Sequence, residues 1–594
     1  MNIRETLENE ILPFVRRPAR YIGGEINAAG DGDAEVRLLL SYPDVYEVGM
    51  SNLGLQILYD IVNRIGWAKA ERAFAVWPDM EKLMREKDVP LFSLETITPA
   101  GEFDIWGFSL QAELTYTNIL TMLDLGRLPL SARERSWPGC PLVIGGGAGA
   151  INPEPLAEFF DLFLAGDGEE GLPEILAAFQ KFRASVLPGP PPSSPQGENG
   201  RAVKLELLKA LVKEVPGLYA PALYRAEYGD SGRFKSIRPV SPDLPRRIGK
   251  RTLEDLNRSR IERPLIPLSR VVHDRKVVEI MRGCKRSCRF CQAGWTGRPA
   301  REKDKEEVTS QALHLVEASG CREISLLSLS SGDYRRIETL MMNLSSVLSR
   351  RRVSLALPSL NAASVSDRIL REISRVRKSG ITLAPEAGSP RLRRVINKKL
   401  RPGVLERIGE GLKKMGWRLL KLYFMIGLPT EEERDIEAIV ETINRVAGWG
   451  GDLNVTVSNF IPKAGTPFQW SPQAGIEEIR EKQKIIRRGV KSGRVRLKFR
   501  PPVMSRIEGI LARGDRRLSE LLRAAWEAGC RFDDWGECFQ PELWEIALEK
   551  SSLSPDFYLN PPYAYRDQLP WSHIESGIGA EILIRESKKA LDNG

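Results

Sequence analysis

Short apolar runs alternate with amphipathic stretches over the first part of the chain, and this pattern predicts strands followed by helices. Runs of about four to eight apolar residues favour buried strands, whereas apolar positions three or four apart favour helices. The predicted strands are Val36–Ser41, Asp104–Ser109, Pro141–Gly145 and Leu162–Ala165, and the predicted helices are Leu53–Ile65 and a segment around Leu114–Leu125. Such an alternation indicates a doubly wound, Rossmann-like α/β domain.

The strand–helix alternation resumes at Val277. Six strands are predicted, at Val277–Met281, Glu323–Leu329, Val353–Leu357, Ile381–Ala384, Leu419–Ile426 and Asn454–Asn459, with helices between them such as Lys305–Ala318 and Glu431–Val446. Six βα units predict a partial (β/α)6 barrel, whose active site lies at the carboxyl ends of the strands by analogy with complete barrels. Beyond Pro502 the pattern is mostly helical, with helices predicted at Arg506–Ala525 and Gln540–Leu553.

Four regions are therefore predicted. Residues 1–183 form the first α/β domain, and residues 184–265 form a Pro/Gly/Ser-rich linker (Leu187–Gly200) and a connecting segment. Residues 266–501 form the barrel domain, and residues 502–594 form a helical region. A length of 594 residues is consistent with several domains.

The charge is basic and unevenly distributed. The formal net charge is +10, and the excess lies in two stripes, Arg391–Lys421 with eleven Lys/Arg and two Glu, and Arg480–Arg500 with ten Lys/Arg and one Glu. Basic stripes can bind phosphate backbones, which makes nucleic acid a possible partner. The alternative is a solvated helix face.

The sequence also predicts a compartment. No run of about 18 apolar residues appears, so no membrane span is expected, and the first residues lack the apolar core of a secretory signal. Three of the seven Cys cluster within eight residues, which argues against a disulfide framework. We therefore expect a reducing, cytoplasmic location.

The most specific motif is Cys284-x3-Cys288-x2-Cys291, which follows the first predicted barrel strand. Three thiolates can hold three irons of a cubane 4Fe-4S cluster, whereas electron-transfer clusters have four Cys ligands. The missing ligand leaves one iron open to bind another molecule. A structural zinc loop is the alternative, but it needs four ligands, and no matching second pair exists.

With Phe290 just before the third Cys, the motif resembles the radical S-adenosylmethionine (radical SAM) superfamily. The resemblance implies that the open iron chelates the amino and carboxylate groups of SAM. It also implies that the reduced cluster cleaves SAM to a 5′-deoxyadenosyl radical, and that a low-potential, flavodoxin- or ferredoxin-like donor supplies the electron. No residue is assigned as catalytic beyond these cofactor contacts.

The same resemblance implies SAM contacts after the barrel strands. Ser330, Ser331 and Asp333 stand where the superfamily's Gly-Gly-Glu binds the amino group, and Glu386 is expected to accept hydrogen bonds from the ribose. The complete implied set is Phe290, Ser330, Ser331, Asp333, Ser359, Glu386, Met425 and Ile461. Ordinary turn chemistry at the strand ends is the alternative.

The first domain resembles the cobalamin-binding domains that precede many radical SAM domains. Asp44-x-Tyr46-x-x-Gly49 matches their D-x-H-x-x-G motif except that Tyr46 replaces the cobalt-ligating His. The implied cobalamin contacts are Asp44, Tyr46, Gly49, Ser109, Gly145, Gly146 and Gly168. Because none of the three His lies in this domain, its cobalamin would lack a lower His ligand. The alternative is a domain that binds nothing and only supports the barrel.

These features favour an enzyme that abstracts hydrogen from an unactivated carbon and methylates it from methylcobalamin. A cobalamin-independent radical rearrangement or cyclisation, or a modification of RNA, is the second hypothesis. The third hypothesis is a non-catalytic iron–sulfur protein that binds RNA or has a regulatory role. Methylthiolation is disfavoured, because its families carry three further Cys in an N-terminal domain, and here that region has only Cys140.

Overall fold

The first domain is built on a six-stranded sheet. The computed structural model describes residues 2–186, 198–358, 367–373 and 381–592. The strands are β1 (Val36–Tyr42), β2 (Ala68–Phe74), β3 (Ile105–Ser109), β4 (Leu142–Gly146), β5 (Leu162–Leu164) and β6 (Leu218–Tyr219). Their order is β2-β1-β3-β4-β5-β6, with the first five parallel and β6 antiparallel to β5. The strand order reverses between β1 and β3, where ligands bind in doubly wound sheets.

Helices cover this sheet, among them the two predicted at Leu53–Ile65 and around Leu114–Leu125. They are α1 (Leu53–Val62), α2 (Pro78–Glu86), α3 (Tyr116–Leu125), α4 (Gly168–Val186) and α5 (Glu198–Glu214). Asn52 caps α1 by accepting a hydrogen bond from the Leu55 amide at 2.8 Å, which satisfies a free N–H of the first turn. Helix α5 and strand β6 fall within the range assigned to the linker and connecting segment. Residues 187–197 of that predicted linker lie outside the described residues.

Strand β2 was not predicted, because three of its seven residues are charged. All seven are nevertheless buried. Arg72 pairs with Glu95 at 2.6 Å and with Glu25 at 2.8 Å, and Glu71 pairs with Arg37 at 3.1 Å. Buried charges are tolerated when they are paired and hydrogen-bonded, so this edge strand is buried despite its polar composition.

The second domain has seven parallel strands. They are β7 (Lys276–Glu279), β8 (Glu323–Leu327), β9 (Ser354–Ala356), β10 (Ile381–Glu386), β11 (Leu419–Ile426), β12 (Asp452–Asn459) and β13 (Val495–Phe499). Strands β7-β8-β9 form one sheet and β10-β11-β12-β13 another. The six predicted strands are confirmed, and β13 is an addition that lies inside the second basic stripe.

Amphipathic helices pack against one face of these strands. They are α6 (Lys305–Ser319), α7 (Ile337–Arg350), α8 (Asp367–Ile373), α10 (Val404–Lys414), α11 (Glu433–Ala447) and α12 (Ile476–Gly489). The short helix α9 (Pro390–Val395) belongs instead to a separate apolar cluster with Phe460 and Phe468. The core between them is aliphatic and includes Leu383, Leu422 and Val455. Alternate residues of each strand point away from this core, which leaves the other face of the strands as the inside of the open barrel.

The C-terminal region is helical, as predicted. It contains α13 (Pro502–Arg513), α14 (Leu518–Ala528), α15 (Pro541–Ser551) and α16 (Ala580–Asp592). The single helix predicted at Arg506–Ala525 is divided, because Asp515 accepts a hydrogen bond from the Arg517 amide at 3.1 Å and starts a new helix. The predicted domain limits themselves stay a prediction.

The C-terminal helices pack on the first domain, so the two share one apolar core. The Thr117 hydroxyl donates to Asp533 at 2.6 Å, and Asn152 donates to the Ala512 carbonyl at 3.1 Å. Within the described part of the chain, no helix is both long and apolar enough to cross a membrane.

Candidate active site between the first sheet and the barrel

The three-cysteine loop follows β7 after the short strand Met281–Arg282, as the sequence predicts. Gly283 adopts φ +78°, and a Cβ there would lie 2.3 Å from the Gly297 carbonyl oxygen, so this turn requires glycine. Two sulfurs accept backbone hydrogen bonds, Cys284 from Arg286 at 3.3 Å and Cys291 from Gly294 at 3.4 Å. Such bonds stabilise the thiolates that ligate iron–sulfur clusters and tune their potential.

The thiols need a cation to become thiolates. Burial raises the pKa of Cys288 to about 11, and it also raises the pKa values of Cys284 and Cys291. Among the described residues, no three His, Cys, Asp or Glu converge on a position for a single metal ion. A cubane cluster bonds each thiolate to a different iron, so three cysteines of one loop can hold three of its irons.

Glu386 ends β10 close to this loop. Its backbone has φ +67°, which is strained for a residue with a side chain. Its carboxylate pairs with Lys398 at 3.2 Å. Burial raises the pKa of Glu386 above its ordinary value, and the Lys398 ammonium opposes the shift. Strained, partly buried and charged residues at a strand end are typical of functional sites.

Asp333 also lies beside the cysteine loop, but it is already engaged. Arg286 donates to both of its carboxylate oxygens, one of them at 2.7 Å, and the Ser330 hydroxyl donates at 2.7 Å. Burial opposes ionisation, yet the Arg286 hydrogen bond holds the pKa of Asp333 below its ordinary value. The Ser331 hydroxyl lies 2.9 Å from that of Ser328. An incoming amino group would therefore have to share Asp333 with Arg286.

The apolar candidates meet on one surface. Phe290 and Met425 both pack against a small cluster made of Ala387, Leu392, Val395, Ile396, Leu428, Phe460, Phe468 and Ala590. Ile461 is buried and follows Phe460, just beyond the end of β12. The structure thus places Phe290, Met425 and Ile461 at the carboxyl ends of the barrel strands. Ser359 lies outside the described residues.

A cavity of about 600 Å³ lies where the first sheet meets the cysteine loop. On the side of the first domain it is lined by residues at the ends of the parallel strands, namely Ser41, Ser109, Gly145, Gly146 and Leu164, and by Gly168 at the start of α4. It continues as an apolar slot over the sheet, between α1 and α4, lined by Leu38, Leu40, Ile105, Leu55, Leu58, Leu172 and Ile175. This is the switch-point position at which doubly wound sheets bind ligands.

The opposite wall comes from the barrel domain. It includes Met281, Arg282, Gly283, Ala293, Thr296 and Gly297, which form or flank the cysteine loop. Ion pairs cross the boundary, since Arg282 pairs with Glu169 at 2.6 Å and Arg301 with Asp167 at 2.6 Å. A ligand in this cavity would contact the first domain and the loop that carries the cysteines.

Three of the predicted cobalamin contacts lie outside this cavity. Asp44 accepts a hydrogen bond from the Trp535 indole at 2.9 Å. Tyr46 packs edge-on against Phe74 with ring centroids 5.5 Å apart, and a Cβ on Gly49 would lie 2.2 Å from the Phe74 ring. The structure therefore uses this segment for packing, whereas Ser109, Gly145, Gly146 and Gly168 do reach the cavity.

Sequence reasoning missed several residues of the cavity. Gly107, in the middle of β3, lines it, and a glycine inside a strand pattern signals that a ligand or backbone approaches closely. Arg282 and Glu169 carried no such local signal, because their pairing depends on how the two domains meet.

Two family models match the chain. One is described as "Radical SAM proteins, N-terminal" and matches residues 54–188, and the other, "Radical SAM superfamily", matches residues 278–443. Together the two ranges cover about half of the chain, and the second contains the cysteine loop.

Individual relatives were also found. An uncharacterized protein of Methanocaldococcus jannaschii is 27% identical over 486 residues, 81% of this chain and 89% of the relative. A tRNA-2-methylthio-N(6)-dimethylallyladenosine synthase of Pelagibacter ubique is 26% identical over 204 residues. The aligned region covers 32% of this chain and 43% of that relative.

Among solved structures, the radical SAM methyltransferase TsrM of Kitasatospora setae aligns at 13% identity with a TM-score of 0.48, covering 73% of this chain and 74% of that chain. The cysteine loop follows the first barrel strand, the barrel strands are parallel, and the superfamily model spans the loop and the strands from β8 to β11. The chain therefore belongs to the radical SAM superfamily, and its cofactors are a 4Fe-4S cluster and S-adenosylmethionine.

Proposed function

We propose that this enzyme binds cobalamin in the cavity between the first sheet and the cysteine loop and methylates an unactivated carbon of its substrate. The observation that carries the proposal is the shared cavity, because it brings the carboxyl ends of β1, β3, β4 and β5 against the loop of Cys284, Cys288 and Cys291. A ligand held there lies beside the site of radical formation.

The cavity suits a large cofactor with an apolar body and polar edges. Its slot over the sheet is aliphatic, whereas Ser41, Ser109, Gln111, Lys250 and Arg251 line other parts of it. Ligand sites typically combine apolar walls with a few polar groups that fix orientation. A Cβ on Gly146 would meet no atom closer than the Leu164 carbonyl oxygen, 3.9 Å away, so the glycine leaves usable space.

The residues of the chain bind and position these groups. When bound, the cluster with SAM supplies a 5′-deoxyadenosyl radical, and cobalamin supplies the methyl group. Cys284, Cys288 and Cys291 hold the cluster, Glu386 is placed to accept hydrogen bonds from the ribose, and Phe290 and Met425 offer an apolar surface for the adenine. The ion pairs of Arg282 and Arg301 keep the two domains together around the cavity. A low-potential donor of the flavodoxin or ferredoxin type would reduce the cluster.

The test is corrinoid retention by a cavity-filling variant. Gly146→Leu should fill space that is open in the protein, so the variant should fold but retain much less hydroxocobalamin after anaerobic reconstitution and desalting. Gly66→Leu is the matched control, since Gly66 is exposed in the same domain and a Cβ there meets nothing within 4 Å. Corrinoid absorbance is the readout, and equal retention by both variants would contradict the proposed site.

A second arm separates the cluster from cobalamin. Cys288→Ala should abolish reductive release of 5′-deoxyadenosine while corrinoid is still retained. If the wild type releases 5′-deoxyadenosine but holds no corrinoid, the reaction is a cobalamin-independent radical reaction instead. If a variant with all three Cys replaced by Ala cleaves SAM fully, the cluster assignment fails.

A further inference from the structure

The inside of the open barrel carries an unusual row of side chains. On β11, Lys421 and Tyr423 point away from the aliphatic core, and on β13 Arg496 and Lys498 do the same. Closed barrels fill this space with bulky branched side chains. Here Tyr423 is 42% exposed, and Arg496 and Lys498 are exposed, so this half of the barrel presents an open face. We call these four residues the basic face.

The sheet register fixes how the basic face is arranged. Lys421 lies beside Asn454 of β12, which lies beside Arg496 of β13. Tyr423 and Lys498 flank Thr456 in the same way. Neighbouring strands are about 4.8 Å apart, and alternate residues of a strand about 6.6 Å apart. The three cations therefore surround an area roughly 10 Å by 7 Å in which an aromatic ring and two neutral polar side chains stand.

These cations have no counter-charge in the described structure. Lys421, Arg496 and Lys498 form no ion pair with any described residue. Cations within about 10 Å of one another repel unless an anion lies between them. On α12 of the second basic stripe, by contrast, Arg480, Lys482 and Lys484 each pair with a nearby Glu.

The basic face leads directly to the predicted SAM contacts. Met425 lies on the same face of β11, two residues beyond Tyr423, which is about 7 Å along the strand. In the register of the sheet, Glu386 lies beside Phe424. A molecule lying on the basic face would therefore point toward the carboxyl ends of the strands, where the radical forms.

We infer that the basic face binds a single-stranded segment of RNA and that RNA is the substrate class of this enzyme. Three cations spread over this area can contact successive phosphates of a single strand. The exposed Tyr423 ring offers a surface on which a base can stack, as in other single-strand binding sites. Asn454 and Thr456 can hydrogen-bond a 2′-hydroxyl, which distinguishes RNA from DNA.

An open face also suits a polymer better than a free nucleotide. Sites for small ligands usually enclose about 70–90% of the ligand surface, and a face with a ring 42% exposed does not. The identity of RNA as substrate rests on the proposed function, since it assumes that chemistry occurs at the ends of these strands. RNA binding itself does not depend on cobalamin.

The test uses the full-length, cluster-loaded protein and a fluorescent, unstructured RNA oligonucleotide, titrated at several salt concentrations. A variant with Lys421→Gln, Arg496→Gln and Lys498→Gln should bind at least tenfold more weakly. Its dependence of log Kd on log salt should lose a slope of about 2, because each single-strand phosphate contact contributes about 0.7. Tyr423→Ala should weaken binding roughly tenfold with no change in the salt slope.

The matched control removes the same charge elsewhere. Arg407→Gln, Lys413→Gln and Lys414→Gln alter three exposed cations of α10, on the outside of the barrel. This variant should bind RNA nearly as well as the wild type. Equal losses in both triple variants, or no loss in the first, would overturn the inference. Equal affinity for a DNA oligonucleotide of the same sequence, or displacement by AMP as effective as displacement by unlabelled RNA, would overturn the assignment to RNA.

Failure of this inference can be told apart from failure of the proposed function. Gly146→Leu should retain full RNA affinity, because the cavity and the basic face lie in different places. RNA binding without corrinoid retention would leave the inference standing and remove methyl transfer from cobalamin. Corrinoid retention without RNA binding would overturn the inference and leave the proposed cobalamin site standing.

Discussion

At the scale of single residues, the site is marked by charges held in strained or buried positions near the cysteine loop. Glu386 combines a left-handed backbone with a partly buried carboxylate and a Lys398 partner. Strain of this kind costs about 1–3 kcal/mol and persists where the surrounding structure imposes it. The carboxylate is therefore positioned before any ligand arrives, which lowers the entropic cost of binding.

Glu386→Gln should weaken SAM binding roughly tenfold or more, because a hydrogen bond to a charged buried group is worth about 1.5–3 kcal/mol. Glu410→Gln, on the exposed side of α10, is the control and should bind normally. Equilibrium binding of SAM to the cluster-loaded protein is the measurement. Burial raises the pKa of Glu386, so the wild-type advantage should shrink as the pH falls through that raised value. Unchanged affinity in both Glu386 and Asp333 variants would mean that these strand ends do not contact SAM.

At the scale of elements, periodicity predicted strands well where their residues are apolar. Strands β1, β3, β4 and β5, and the first six barrel strands, appear within a few residues of their predicted places. Strand β2 was not predicted because its stabilisation comes from ion pairs with Glu25 and Glu95, which lie outside the strand. Strand β13 was not predicted because its alternating cations suggest a solvated surface. Only Val495, Leu497 and Phe499, on the face toward the helices, touch the core.

The buried ion pairs of β2 predict an unusually costly substitution. Arg72→Met leaves two buried carboxylates uncompensated, and removing one partner of a buried pair typically costs about 3–5 kcal/mol. For a domain of this size, that loss corresponds to a thermal midpoint lowered by roughly 6–20 °C. Lys82→Met, which breaks an exposed pair with Glu86, should change the midpoint little. Circular dichroism melting checks both variants, and similar midpoints would show that the β2 charges do not stabilise the domain.

At the scale of the whole molecule, the site depends on how the domains meet, which local sequence patterns do not report. The cysteine loop and the glycines Gly145, Gly146 and Gly168 could be found from the sequence, because each sits at a strand end or turn. The cavity that they share could not be predicted from the sequence. It depends on the pairing of Arg282 with Glu169 and of Arg301 with Asp167 across the domain boundary. The Asp44–Gly49 segment shows that a motif can also mislead, because it matches the cobalamin-binding pattern in sequence but lies away from the cavity.

The positions of the three His predict that no His would ligate the cobalt of a bound corrinoid from its lower face. His314 lies 2.7 Å from the Glu262 carbonyl oxygen, His573 is buried against Tyr219 with ring centroids 4.6 Å apart, and His273 lines a separate depression near Cys321. The residues that line the cavity include no His, so the protein offers no imidazole to cobalt. The Tyr46 phenol is no substitute, because burial raises its pKa well above the ordinary value and its ring packs on Phe74.

The paramagnetic resonance spectrum of cobalamin-loaded protein, reduced to Co(II), should therefore show no nitrogen splitting from an axial protein ligand. Protein labelled with 15N makes the test specific. A splitting that changes on labelling must arise from the chain. A splitting that is unchanged by labelling arises from the nucleotide base of the cofactor. A splitting altered by 15N would mean that one of the three His moves into the cavity when cobalamin binds. It would thus contradict the domain arrangement described for the cavity, since each His would have to leave its present contacts to reach the metal.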